Sequence, residues 1–210
     1  AFSPSGDVSA DVVYANYGLP QDYAALDKLG VSVAGKIVLV RYGGSFRGVK
    51  AQQAEIRGAK GVLIYSDPAD DGFKKGAVYP DGPWRPADAI QRGSIQYIFN
   101  YPGDPLTPGK PAVPGTKRLS PDDATDLPRI PTTPISYGEA QPLLEEGLAC
   151  CRESKDHNGL GYFLANLAWS MRGQGRLDRA REFALEGLTV RKDAQSRAGI
   201  VVAMRIASEI

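Results

Sequence analysis

The stretch Lys36-Ile-Val-Leu-Val-Arg-Tyr-Gly-Gly-Ser-Phe-Arg-Gly48 sets the reading of everything around it. Its first six residues are almost continuously apolar, as in a strand covered on both faces rather than one that alternates toward water. Two glycines then let the backbone turn sharply, and a helix can begin where the run ends. Gly48–Gly58 has helical spacing, with Val49, Ala54 and Ile56 on one face, and an equally apolar run, Val62-Leu-Ile-Tyr65, follows it. That is a strand–helix–strand unit, and the right-handed crossover rule makes its two strands neighbours in one sheet. The predicted strands are Val12–Tyr17, Lys36–Tyr42, Gly61–Asp67 and Ser94–Phe99, each bounded by Gly, Pro or Asp. Gln21–Leu29 reads as a second short helix, opened after Pro20 and stopped by Gly30. Prolines crowd residues 101–134, which predicts an extended loop ordered by its contacts.

Gly43-Gly44-Ser45-Phe46-Arg47-Gly48 is the first candidate site, because it lies where the strand meets the helix and a helix N-terminus favours anions. An arginine there suits a carboxylate, which the planar guanidinium grips in a bidentate fork. On spacing alone, a tight connection with a solvated arginine explains the same residues. A phosphate loop is disfavoured, because the Gly-Lys-Ser/Thr ending is missing. Asp67, Asp70 and Asp71 read as turn and capping residues, since no histidine accompanies them as a metal ligand would.

The run from Lys36 to Gly48 resembles the protease-associated domain of the glutamate carboxypeptidase II family of zinc peptidases. So do Gly58-Ala-Lys-Gly-Val-Leu-Ile-Tyr-Ser-Asp-Pro-Ala-Asp70, Val78-Tyr-Pro-Asp-Gly82, Ile90-Gln-Arg-Gly93 and Gly103-Asp-Pro-Leu-Thr-Pro-Gly109. The closing block runs from Leu127 to Gln141, and the blocks keep the family's order over roughly residues 1–143. The resemblance implies a compact β-sandwich flanked by short helices, roofing the active-site cleft of a peptidase domain. It implies that Arg47, beside Phe46, binds the α-carboxylate of the substrate's C-terminal residue. Glutamate-specific members place an asparagine after Gln-Arg-Gly where it touches substrate; Ser94 stands here, which puts glutamate specificity in doubt. The family's structural calcium is partly held by carbonyls that map to Thr107 and Lys110, where a tyrosine is commoner at the second position. The glutamates completing that calcium site, and the zinc site, belong to the peptidase domain.

From Gly138 the pattern changes to a 3.6-residue period. Glu146-Gly-Leu148 recurs as Glu186-Gly-Leu188, an offset of 40 residues. Ala140 matches Ala180 at that offset, Leu143 matches Phe183, Gly159 matches Gly199 and Leu160 matches Ile200. A period near 40 with helix–turn–helix patterning signals an α-solenoid. The predicted helices are Glu139–Glu153, Leu160–Arg172 and Asp178–Lys192, with Asp178 near an N-cap, a turn at Gly173–Arg176 and a last helix from about Arg197. Leu164, Leu167, Ala168 and Met171 form an apolar stripe that reads as helix–helix core. The runs Leu164–Trp169, Gly173–Phe183 and Leu185–Leu188 resemble tetratricopeptide repeats, especially those of large bacterial regulatory ATPases and transcriptional regulators. This second resemblance implies an all-α scaffold that binds a protein partner without chemistry of its own.

The expected class is therefore α+β, with a protease-associated domain over 1–137 and a tetratricopeptide-like segment over 138–210. A helix near 139–146 satisfies both patterns, which suggests a chimera joined inside a shared helix. Two-zinc peptidase chemistry needs His and Asp/Glu ligands and a general base, yet the sole histidine is His157. The expected function is a non-catalytic module serving a zinc carboxypeptidase or aminopeptidase. Two alternatives remain: an enzyme part active only with its peptidase domain, and a regulatory tetratricopeptide scaffold. No cofactor is expected on this chain itself beyond a possible calcium. Twenty-five Lys/Arg against 24 Asp/Glu leave a net charge of +1, without the clustered excess that nucleic acid demands. No apolar run reaches the roughly 18–20 residues of a membrane span. Ala1-Phe-Ser-Pro-Ser-Gly6 has no basic or signal-like opening, so any targeting peptide is expected outside this chain. Cys150 and Cys151, adjacent on a helix, point in different directions and read as free thiols, one toward the core and one nearer solvent.

Overall fold

Ile37–Arg41 (β2) and Gly61–Tyr65 (β3) form the centre of a four-stranded sheet, on the two apolar runs that the sequence singles out. The computed structural model describes residues 1–153, 157–173 and 176–193. Contacts divide the chain into two compact units: Ala1–Tyr65 with Gln91–Ile135, and Ser66–Ile90 with the chain from Ser136 on.

In the first unit the edge strands are Val12–Tyr14 (β1) and Thr132–Ile135 (β4). The order is β1-β2-β3-β4 and every pairing is parallel, with Val13 opposite Val38, Val38 opposite Val62 and Val62 opposite Thr132. Helix α1 (Pro20–Lys28) connects β1 to β2, and α2 (Arg47–Glu55) connects β2 to β3. Val38, Leu39 and Val40 are all buried, as expected of a strand covered on both faces. Val38 and Val40 join Ala15, Tyr23, Val33, Ala54, Ala59, Val62 and Ile64 in one core cluster. α2 buries Gly48, Lys50, Ala51 and Ala54, so its inward face is made mostly of small residues that allow close approach.

Three expectations for this unit need correction. The two-layer β-sandwich is replaced, among the described residues, by one parallel sheet with helices, a mixed α/β arrangement. Ser94–Phe99 is not a strand. Its amides turn to local or single partners: Gln96 N–H to the Ser94 hydroxyl (3.2 Å), Ile98 N–H to the Gln96 carbonyl (2.9 Å) and Tyr97 N–H to the Asp126 carbonyl (2.7 Å). Ile56, expected on one helix face with Val49 and Ala54, caps α2 and is 65% exposed, whereas Ala54 is buried. Within the proline-dense segment, β4 is a strand that proline density conceals. It pairs only with β3, and an edge strand is where a sheet accommodates a residue such as Pro134.

The second unit contains a one-turn helix α3 (Pro68–Asp71), a 3-10 turn at Phe73–Lys75 and three long helices. These are α4 (Tyr137–Glu153), α5 (His157–Gly173) and α6 (Leu177–Asp193). Asp67 does cap α3, its carboxylate accepting the Ala69 N–H at 2.9 Å. α4 opens with a capping box: the Glu139 carboxylate accepts from the Ser136 N–H (2.7 Å) and hydroxyl (2.8 Å), and the hydroxyl accepts the Glu139 N–H (3.2 Å). Leu148, Leu160, Leu164, Leu167 and Val190 make the core among α4, α5 and α6, with Cys151, Phe163 and Phe183 against it. The apolar stripe of α5 is therefore core, Met171 included. Neither cysteine is in a disulfide; Cys150 is exposed and Cys151 half-buried. Asp178 falls in the first turn of α6, close to its N-terminus as expected. The predicted helix from Arg197, the repeat matches at Gly199 and Ile200, and the middle of the Gly173–Arg176 turn lie outside the described residues.

Candidate functional site

Arg47 is the first residue of α2, and the run before it determines where it stands. β2 delivers the chain to Gly43 and Gly44 with φ of 101° and 71°, backbone conformations that an L side chain strains. Under this turn lies Lys50, fully buried, whose ammonium donates to the Tyr17 carbonyl at 2.5 Å and the Gly43 carbonyl at 2.7 Å. The helix thereby ties the glycine turn to the segment between β1 and α1. Burial pushes the Lys50 amine down to about 8; the Asp22 carboxylate opposes this and Arg41 adds to it.

Two contacts hold the chain from Tyr42 to Gly48 against residues 91–96. A Cβ built on Gly48 would lie 2.5 Å from the Gln96 carbonyl oxygen and 3.0 Å from that of Ile95, so only glycine admits the approach. Tyr42 reaches the same segment, its hydroxyl donating to the Gln91 carbonyl at 2.8 Å. The Arg47 guanidinium carbon stands 5.6 Å from the Tyr42 ring centre and 5.4 Å from that of Phe46, both within cation–π range. Its Nε is buried with no hydrogen-bond partner, and among the described residues no carboxylate pairs with it. A buried cationic donor left unused is costly and therefore uncommon.

Of the residues singled out from sequence, Phe46 and Arg47 meet here. Ser94 follows Gly93, which stands directly against the guanidinium; its hydroxyl accepts the Gln96 N–H and closes a local turn. Thr107 and Lys110 occupy a loop of their own. Thr107 is buried, its hydroxyl donates to the Asp104 carboxylate at 3.1 Å, and its carbonyl accepts the Lys110 N–H at 3.0 Å. Asp104 is further engaged by Arg118. The two backbone carbonyls of Thr107 and Lys110 would supply only part of the shell of a calcium ion, which takes six to eight oxygen ligands. Among the described residues no group of three His, Cys, Asp or Glu side chains is placed to hold a metal ion. Lys50, Tyr42 and Gly93 escape the sequence reading. The only trace of them is a lysine at the centre of a helix face otherwise made of Gly and Ala, and a glycine between Arg92 and Ser94.

The PA domain family model matches residues 8–98, which include β1, β2, α2, β3 and every residue around Arg47. The chain is 42% identical over 149 residues to vacuolar protein sorting-associated protein 70 of Saccharomyces cerevisiae, covering 69% of this chain and 18% of that protein. It is 41% identical over 148 residues to aminopeptidase NAALADL1 of Mus musculus, covering 69% and 19% respectively. It is 42% identical over 153 residues to a glutamate carboxypeptidase 2 homolog of Caenorhabditis briggsae, again covering 69% and 19%. The chain is thus similar to proteins of which one is named an aminopeptidase and another a glutamate carboxypeptidase homolog, and it spans about a fifth of the length of these curated relatives. No described helix is long and apolar enough to cross a membrane.

Proposed function

We propose that this PA domain performs no chemistry of its own and shapes the substrate cleft of a zinc-dependent carboxypeptidase or aminopeptidase. In this reading Arg47 receives the free carboxylate of a peptide substrate, while zinc and the general base come from the peptidase domain. The observation that carries it is the Arg47 guanidinium: within cation–π range of two rings, with a buried Nε and no acceptor for it among the described residues. A cation fixed in place but left unpaired is suited to an anion arriving from outside. In a full-length enzyme carrying this domain, Arg47→Ala should lower kcat/KM about 10- to 100-fold, mainly through KM, as expected for loss of a charge-assisted hydrogen bond. Unchanged kinetics would remove the role. The chain alone, supplied with zinc, should not cleave peptides ending in Glu or Ala; turnover by it would sink the non-catalytic reading.

The helical segment is read as a tetratricopeptide-like docking scaffold for a protein partner. What favours this is the repeated Glu-Gly-Leu: Gly147 of α4 meets Phe163 of α5, and Gly187 of α6 meets Leu164 of α5. The same triplet recurs where α4 and α6 each face α5. The separate origin of the two segments, joined at 139–146, is tested by sequencing the locus from independent isolates: an uninterrupted gene keeping both in each would count against a recent join.

A further inference from the structure

We propose that Gly93 is the positioning residue of the Arg47 carboxylate site, its lack of a side chain being what allows the guanidinium to lie between Phe46 and Tyr42. This rests on the reading of Arg47 given above, and the ligand class is the same, a peptide with a free C-terminal carboxylate. A Cβ at residue 93 would stand 2.4 Å from Arg47 Nη1, 2.5 Å from Cζ and 2.9 Å from Nε. All three atoms belong to one guanidinium, and none is backbone. At Gly48 the obstacles include two carbonyl oxygens of the chain itself, which cannot step aside. The two glycines therefore do different things. Gly48 sets how closely α2 approaches residues 95–96. Gly93 sets where the charged end of Arg47 rests.

The segment bearing Gly93 is not free to retreat from an added methyl group. Tyr42 holds it two residues earlier through the Gln91 carbonyl, and Tyr97 holds it four residues later through the Asp126 carbonyl. With its backbone anchored on both sides, the clash at 93 is relieved by Arg47 swinging out, because a long side chain rotates at far lower cost than a packed loop shifts. Swung out, Arg47 loses its ring contacts and its fixed direction. A carboxylate then has to order the side chain on binding, an entropic penalty that the seated arginine avoids.

The test compares wild type, Gly93→Ala, Arg47→Ala and the double variant. The Arg47 Nε–H resonance in a proton–nitrogen NMR spectrum, assigned by its loss in Arg47→Ala, reports the seat without any ligand. Titration with N-acetylalanine, against its uncharged amide, reports the carboxylate. Gly93→Ala should move the Nε–H resonance, speed its exchange with water and weaken N-acetylalanine about tenfold, with the melting temperature nearly unchanged. An unmoved resonance in Gly93→Ala overturns the proposal whatever the titration gives. If wild type fails to distinguish N-acetylalanine from its amide, the carboxylate reading fails, while a displaced resonance still supports the seat. If Gly93→Ala does not fold, the Gly93→Ala/Arg47→Ala double variant decides: recovered folding places the clash on Arg47, and no recovery places it elsewhere and overturns the proposal.

Discussion

At the scale of single residues, the site is organised by groups whose chemistry runs against their usual placement. Arg47 was singled out only through the resemblance of its Phe-Arg-Gly block, because on spacing alone a solvated arginine explains the same residues. Lys50 was not, because a lysine followed within three residues by Gln52 and Gln53 reads as solvent-facing. Its burial follows from the shape of its surroundings: Gly48, Ala51 and Ala54 leave a shallow helix face, and a four-carbon stem passes under the turn to two carbonyls. The consequence is a definite pH dependence. The folded-state value is about 8 against an ordinary value of 10.5, so the protonated form is disfavoured by folding. The penalty is fully present below about pH 8 and is relieved as pH rises toward 10.5, where the unfolded chain binds more protons than the native one. Urea denaturation of wild type and Lys50→Met at intervals from pH 7.5 to 10.5 should show wild type gaining on the variant across that window. The tyrosines titrate in both proteins and cancel in the difference. A flat difference would mean that Lys50 keeps an ordinary amine.

At the scale of elements, the helices and the two central strands were readable, and the failures have specific causes. Ser94–Phe99 carries the alternation of a strand, but its Gln96 amide group is committed to the Asp126 carboxylate (2.6 Å) and the Gly103 carbonyl (2.9 Å), and the backbone bends to serve them. β4 was hidden by Pro134, whose missing N–H matters little on an edge strand with one partner. The repeated Glu-Gly-Leu gives a test that separates sequence equivalence from packing. A methyl group at Gly147 would sit 2.7 Å from Phe163 Cζ, whereas one at Gly187 would sit at an ordinary 3.5 Å from Leu164 Cβ. Replacing a helical glycine by alanine gains about 1 kcal/mol in propensity, and overpacking a core contact costs about 1–3 kcal/mol. Gly147→Ala should therefore lose stability, by about 1 kcal/mol net, and Gly187→Ala should gain up to about 1 kcal/mol. Chemical denaturation of the two variants measures both; equal shifts of the same sign would show that the two contacts are packed alike.

At the scale of the whole molecule, the sequence divides at the change of period near 137, while contacts associate Ser66–Ile90 with the chain from Ser136 on. Periodicity cannot reveal that association, because residues 66–90 have the turn-rich composition of the strands before them and none of the helical spacing that follows. The contacts are individually modest: the Gly138 N–H donates to the Ala87 carbonyl at 3.0 Å, and the Phe73 ring meets the edge of Tyr137 with 5.9 Å between centres. What makes them consequential is that 66–90 is otherwise short of regular structure, with one helical turn, one 3-10 turn and no named strand. A segment with few backbone ladders depends on its neighbours for protection from solvent. Hydrogen exchange on chains ending at Tyr137 and at Glu153 tests whether a boundary at 137 is workable. The longer chain contains the capping box and the whole of α4, and its amides in 66–90 should exchange as slowly as in the full chain. In the shorter chain the same amides should exchange faster, by about tenfold for every 1.4 kcal/mol of local stability lost, while those of β2 and β3 stay protected. Equal protection of 66–90 in both chains would establish 1–137 as a self-sufficient domain, and the dependence on α4 would fall.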